Sequence, residues 1–134
     1  MAKLPPEVIE VFNDTEGSTK MMATLGKDFR VNSVVVASFY ALSDESLMFA
    51  HMFIKKTKQN LNDNPKIAVT AFRPPATAYE VKGTLTEWQT SGPLYRMVAD
   101  GIYEKMPIQI QGVGMVQVDE VYSIAPDGQE TKLA

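Results

Sequence analysis

The stretch from Phe29 to Asn60 reads FRVNSVVVASFYALSDESLMFAHMFIKKTKQN, and it decides the fold of this chain. It predicts a long strand over Phe29–Leu42 and a second strand over Leu47–Phe53, joined by a turn at residues 43–46. Both faces of the long strand are mostly apolar, so both need cover. The pattern favours a barrel wall that packs against a further surface.

The chemical character changes at residues 55–58, which read KKTK, and a short helix is predicted over Lys56–Asn62. A helix N-terminus attracts anions, because its first N–H groups are free and its dipole end is positive. An ammonium group at Lys56 and a hydroxyl at Thr57 strengthen such a site. A lysine-rich segment also fits a solvated helix face. Both interpretations stay open on the spacing alone.

The rest of the chain predicts four more strands and two more helices. The helices begin at Pro5-Pro6 and at Ser91-Gly92-Pro93, and the second of them carries an apolar stripe of Leu94, Val98 and Ile102. The strands cover Lys20–Leu25, Lys66–Phe72, Tyr79–Trp88 and Gly112–Ile124. The first three strands of the chain are expected to form an antiparallel meander. Helices interrupt the strands rather than alternate with them. The order therefore favours a six-stranded, mainly antiparallel β-barrel with short helices, of the α+β or all-β class.

Length and composition argue against several classes of function. At 134 residues we expect one domain over residues 1–134. No apolar run approaches the roughly 18 residues of a membrane span, and no signal peptide is readable. The chain has no cysteine, which fits a reducing cytoplasm, and its net charge of −3 argues against broad binding to nucleic acid. We expect a cytoplasmic protein without membrane or nucleic-acid partners.

Several features follow one another in a recognisable order. They are Val31-Asn32-Ser33 on the long strand, K-T-x-x-N-L at residues 56–61 with Pro65 closing the helix, and YEVKGTL at residues 79–85. Together they resemble the FMN-binding split-barrel family, which includes pyridoxamine 5′-phosphate oxidase-like proteins and small FMN-binding proteins. The likeness is closer to the small FMN-binding proteins, and it runs from Leu4 to Ile124. It implies a split β-barrel and a homodimer with one FMN in each of two clefts at the subunit boundary.

The resemblance also implies which residues contact the cofactor. The isoalloxazine would lie beside Asn32, Ser33 and Val34. Its polar edge would contact Ala50, His51, Met52 and Phe53. The phosphate would be held by Lys56 and Thr57, with Lys55 as an added positive charge. Met52 and Phe53 stand where small FMN-binding proteins often have glycines, which narrows the room near the flavin. Neither a catalytic side chain nor a metal is implied, because the flavin carries the redox step.

Three functions stay open. The first is an FMN-dependent oxidoreductase acting on a small molecule, and the second is a non-enzymatic flavin carrier that exchanges electrons with a redox partner. The third is a split barrel that binds another ligand, such as heme or a deazaflavin. Pyridoxamine-phosphate oxidase activity itself is not expected, because no arginine follows Arg96 to hold that substrate's phosphate. His51 is expected to pack rather than to transfer a proton, and Trp88 is expected to pack rather than to cover a flavin or serve the dimer interface.

Overall fold

A computed structural model of the protein describes residues 2–52 and 55–134, so the cofactor contact predicted for Phe53 lies outside the described residues. The described part of the chain contains three helices and eight strands. The helices are α1 (Pro6–Asn13), α2 (Lys55–Asp63) and α3 (Pro93–Lys105). The strands are β1 (Thr19–Leu25), β2 (Val31–Val35), β3 (Phe39–Ala41), β4 (Ser46–His51), β5 (Lys66–Arg73), β6 (Thr77–Gln89), β7 (Gly112–Ile124) and β8 (Glu130–Lys132).

All strands belong to one antiparallel sheet in the order β2-β1-β5-β6-β7-β4-β3, with β8 paired to β7. The two ends of this order, β2 and β3, are consecutive in the chain, and only residues 36–38 separate them. The sheet must therefore curl until its ends meet. The N–H of Val36 donates to the carbonyl of Lys20 at 2.9 Å, and the N–H of Ala50 donates to the carbonyl of Ser38 at 3.1 Å. The predicted antiparallel barrel is confirmed.

The predicted count of six strands is wrong. The strand predicted over Phe29–Leu42 is divided into β2 and β3, because it leaves β1 and joins β4 where the sheet closes. The short strand β8 lies after Gly128, where the sequence analysis predicts no strand. The antiparallel pairing of consecutive strands is confirmed, since β1 pairs with β2 and β3 pairs with β4.

Burial on the divided strand differs between its two halves. Phe39 on β3 is fully buried, whereas Val31 and Val35 on β2 are 80% and 61% exposed. The single chain leaves this face exposed, so the predicted cover by a further surface stays a prediction for β2. The opposite face of β2, with Asn32 and Val34, is half-buried. The outer face of β2 remains apolar and accessible.

An aromatic stack fills the barrel between α1 and β6. The ring of Phe39 lies 6.1 Å from that of Phe12 and 5.2 Å from that of Phe49, and Phe49 meets the edge of Trp88 at 5.5 Å. Phe49 faces Gly114 across the β4–β7 pair. A Cβ at Gly114 would lie 2.5 Å from the Phe49 ring, so this glycine makes room for the stack.

Helix α3 covers the outside of the sheet with the apolar stripe that its sequence predicts. Leu94, Val98 and Ile102 pack against a second cluster that contains Met48 and Ile110. None of the helices in the described residues has the length and apolarity needed to span a bilayer.

Replacing Gly114 with alanine tests the aromatic stack. We expect Gly114→Ala to lower the free energy of unfolding by about 1–3 kcal/mol, because Phe49 is held by Phe39 and cannot retreat. Gly101→Ala is the matched control: nothing lies within 4 Å of the added methyl group, and helix propensity should raise stability by about 0.5–1 kcal/mol. Denaturant titration measures both, and an unchanged midpoint for Gly114→Ala would contradict this packing.

Candidate functional site

A cavity opens where the end of β4 meets α2. It has a volume of about 530 Å³, which is within the usual range for small-molecule sites. Its walls come from β4, from α2 and from the segment before β7; they are His51, Met52, Lys55, Lys58, Gln59, Asn62 and Gln111. The cavity therefore brings together three of the residues that the sequence predicts for cofactor binding, and it adds four that the sequence analysis missed.

Positively charged side chains lie close to aromatic rings at the corner where the end of β4 meets α2. The Nζ atom of Lys58 lies 5.4 Å from the centroid of the Trp88 ring, a distance typical of a cation–π contact. The imidazole of His51 lies 5.7 Å from the same ring. Lys55 contributes a second ammonium group to the cavity wall. The corner is thus suited to a ligand that is both anionic and flat.

His51 is the buried polar residue of the cavity wall. Its side chain is 4% exposed, and its Nδ1 atom has no hydrogen-bond partner among the described residues. Burial lowers the pKa of His51, the positive charge of Lys58 lowers it further, and a hydrogen bond with Gln111 opposes the shift. The imidazole is therefore neutral at neutral pH. A neutral imidazole in the cavity wall offers hydrogen-bonding capacity without adding charge.

Hydrogen bonds hold the inner face of α2 on the barrel. The Nδ2 of Asn32 donates to the Oγ1 of Thr57 at 3.1 Å, and the Nδ2 of Asn60 donates to the Oγ1 of Thr24 at 3.1 Å. Thr57 and Asn60 are 1% and 2% exposed. Two residues of the K-T-x-x-N-L spacing therefore attach the helix to β1 and β2. This attachment fixes the position of the lysines on the outer side of α2.

The residues predicted for cofactor binding fall into separate environments. His51, Met52 and Lys55 line the cavity, and Asn32 contacts Thr57 at the joint between β2 and α2. Ser33 and Lys56 are exposed, Val34 packs against the main core, and Ala50 is buried in the cluster under α3. The predicted cofactor-binding role of all these residues stays a prediction.

Three of the residues that the sequence analysis missed could have been found from their spacing along α2. Lys58, Gln59 and Asn62 follow Lys55 at intervals of three, four and seven residues, so they share one face of α2. Gln111 carries no such signal. It reaches the cavity because its N–H donates to the carbonyl of His51 at 2.7 Å, a contact between residues far apart in sequence.

Comparisons with known proteins show which of them share this fold. No family model matches this chain. The chain is 26% identical over 128 residues to the uncharacterized protein MJ0282 of Methanocaldococcus jannaschii, an alignment that covers 92% of this chain and 85% of that protein.

Solved structures resemble the chain more closely in shape than in sequence. HupZ of Group A Streptococcus matches with a TM-score of 0.79 at 22% identity, over 96% of this chain and 98% of HupZ. An FMN-binding protein from Syntrophomonas wolfei gives 0.80 at 12% identity, over 87% and 83%. A pyridoxinephosphate oxidase family protein from Clostridium acetobutylicum gives 0.74 at 13% identity, over 95% and 91%. The chain has the split-barrel fold of these proteins, as the resemblance in sequence predicts.

The titration of His51 tests the electrostatics of the cavity. Because the chain has one histidine, its imidazole resonances can be followed by NMR without ambiguity. We expect a midpoint below the ordinary value of 6.5, since burial and Lys58 disfavour the imidazolium. Lys58→Met should raise this midpoint, whereas Lys56→Met, at an exposed position outside the cavity wall, should leave it unchanged.

The lowered pKa of His51 also predicts how the free energy of unfolding changes with pH. The unfolded chain binds the His51 proton more readily than the folded chain does, so the free energy of unfolding should fall as the pH drops below 6.5. His51→Gln should remove this component. A wild-type midpoint at or above 6.5 would rule out the buried neutral imidazole.

Proposed function

We propose that this protein binds FMN at the corner formed by β4, α2 and β2 and takes part in electron or hydride transfer. The observation that supports it best is the cavity itself: Lys55, Lys58 and the buried His51 line it, and Lys58 and His51 lie beside the Trp88 ring. This corner belongs to a fold that FMN-binding and pyridoxinephosphate oxidase family proteins share.

The residues at this corner fit the two ends of a flavin mononucleotide. A phosphate needs positive charge and donors, which Lys55 and Lys58 supply in the cavity and Lys56 supplies beside it. A flavin ring needs a flat apolar surface and hydrogen-bonding groups at its edge. Met52 offers apolar surface, and the amide of Gln111 and the imidazole of His51 offer hydrogen-bonding groups.

The roles of the chain's own residues follow from their charge and burial. Bound FMN would supply the redox chemistry. Lys55 and Lys58 would lower the cost of holding negative charge in a partly buried site. Neutral His51 would exchange a hydrogen bond with the ligand edge without adding charge there. We therefore propose an FMN-dependent oxidoreductase acting on a small molecule, in which no side chain of the chain performs the redox step.

We also propose that two copies of the chain associate through the outer face of β1 and β2. Large apolar side chains are exposed there: Val31 and Val35 on β2, Met21 opposite Val35 on β1, and Phe29 in the connecting turn, where it is 85% exposed. Adjoining apolar side chains on a sheet face are typical of a protein contact. A contact here would border the β2–α2 joint, so a second copy would help to enclose the cofactor.

Removing the lysines tests the cofactor assignment. We expect Lys55→Met combined with Lys58→Met to weaken FMN binding by roughly 10–100-fold, because charge-assisted contacts to the phosphate are lost. Lys132→Met on β8, far from α2 in the sheet order, is the control and should bind FMN as the wild type does. Quenching of flavin fluorescence measures the affinity.

Other results would change the function. Unchanged affinity in the double variant would remove the phosphate assignment. A preparation that retains heme or a deazaflavin and rejects FMN would overturn the proposed cofactor. Tight FMN binding with rapid electron exchange to a redox protein, but no turnover with small donors, would favour the flavin carrier.

Association is tested with a charge on the exposed face. Val35 is 61% exposed in the single chain, so Val35→Glu should leave the fold intact and yield a monomer in sedimentation analysis. Met97→Glu, at a 64% exposed position on α3, is the matched control and should remain a dimer. A dimeric Val35→Glu protein alongside a monomeric Met97→Glu protein would move the contact to α3.

A further inference from the structure

The segment between α3 and β7 carries Gln111 to the cavity, and one of its peptide units is held from both sides. The N–H of Gln111 donates to the carbonyl of His51 at 2.7 Å. The hydroxyl of Tyr95 on α3 donates to the carbonyl of Ile110 at 3.0 Å. This carbonyl and this N–H belong to the same peptide unit, so α3 holds one end of the unit and β4 holds the other.

Tyr95 is itself well anchored for this contact. Its ring packs against the second cluster, which contains the buried side chain of Ile110. The Nε2 of Gln109 donates to the Tyr95 hydroxyl at 3.5 Å, so this hydroxyl contacts two neighbouring residues of the segment. Residues 107–111 belong to neither a helix nor a strand, and their backbone groups therefore depend on contacts of this kind.

A peptide unit held at both ends has little freedom to rotate. Because the unit is planar, fixing its carbonyl also fixes the direction of its N–H and the position of the Cα of Gln111. A hydrogen bond to the carbonyl also polarises the unit and strengthens the bond that its N–H makes. The side chain of Gln111 lines the cavity and forms a hydrogen bond with the side chain of His51. Its place in the cavity wall therefore depends on this peptide unit.

We infer that Tyr95 is a positioning residue of the cavity: its hydroxyl orients the peptide unit between Ile110 and Gln111 and thereby holds the amide of Gln111 against His51. Among the described residues Tyr95 does not line the cavity, so it acts through Gln111. The pairing of β4 with β7 brings Gln111 near His51, and Tyr95 fixes its orientation there. This role is independent of any ligand, whereas its effect on FMN binding rests on the proposed function.

The experiment titrates the imidazole of His51 by NMR in Tyr95→Phe, in the full chain without FMN. This variant keeps the ring and its packing and removes only the hydroxyl. The hydrogen bond with Gln111 raises the pKa of His51, against burial and the charge of Lys58, so we expect the midpoint to fall below the wild-type value. Gln111→Ala should lower the midpoint too. The double variant should titrate no lower than Gln111→Ala alone, because both changes remove the same contact.

Tyr103→Phe is the matched control, because Tyr103 lies on the same helix and is 57% exposed. The His51 midpoint should be unchanged in this variant. The charged residues of the cavity wall, Lys55 and Lys58, are the same in all of these proteins. Amide hydrogen exchange gives a second readout: the N–H of Gln111 should exchange slowly in the wild type and in Tyr103→Phe, and faster in Tyr95→Phe.

The possible outcomes separate this inference from the proposed cofactor. An unchanged His51 midpoint in Tyr95→Phe, or rapid exchange of the Gln111 amide in the wild type, would overturn the positioning role and leave the proposed function standing. A lowered midpoint in protein that retains no FMN would support the positioning role and count against the cofactor. Where FMN binds, Tyr95→Phe and Gln111→Ala should weaken its affinity by a similar factor, roughly 2–10-fold. A loss in Gln111→Ala alone would overturn the link between Tyr95 and the ligand.

Discussion

The closure of the sheet at residues 36–38 is the constraint on which the rest of the structure depends. Two backbone hydrogen bonds, from Val36 to Lys20 and from Ala50 to Ser38, attach this segment to β1 and to β4. The chain crosses there from one end of the strand order to the other, although β2 and β3 are not paired with each other in the described residues. The closure also places β2 beside α2, where Asn32 donates to Thr57.

Much of the fold is readable from sequence, because local patterns determine it. The bounds of β7 agree with the prediction, and the apolar stripe of α3 packs as expected. The division of the long strand could not be predicted from such local patterns. Alternation of apolar residues shows that Phe29–Leu42 is extended, but it cannot show where a strand exchanges one neighbour for another. The three residues of β8 have no strand signal, because backbone pairing with β7 forms that strand.

The candidate site is less predictable, because it depends on which face of α2 meets the barrel. The spacing that resembles a phosphate motif contains Thr57 and Asn60, and these side chains are used to attach the helix. The cavity instead takes the polar stripe that begins at Lys55. That stripe is visible in the sequence once α2 is accepted as a helix. Gln111 is not, because only the β4–β7 pairing brings it to His51.

The contact between Trp88 and Lys58 has a practical consequence. The chain has one tryptophan, and it stands beside a charged group and beside His51 at the edge of the cavity. Indole emission responds to nearby charge and to protonated imidazole, so a single native chromophore reports on this corner without any label. The fluorescence of Trp88 should therefore report whether a ligand occupies the cavity next to Lys58 and His51.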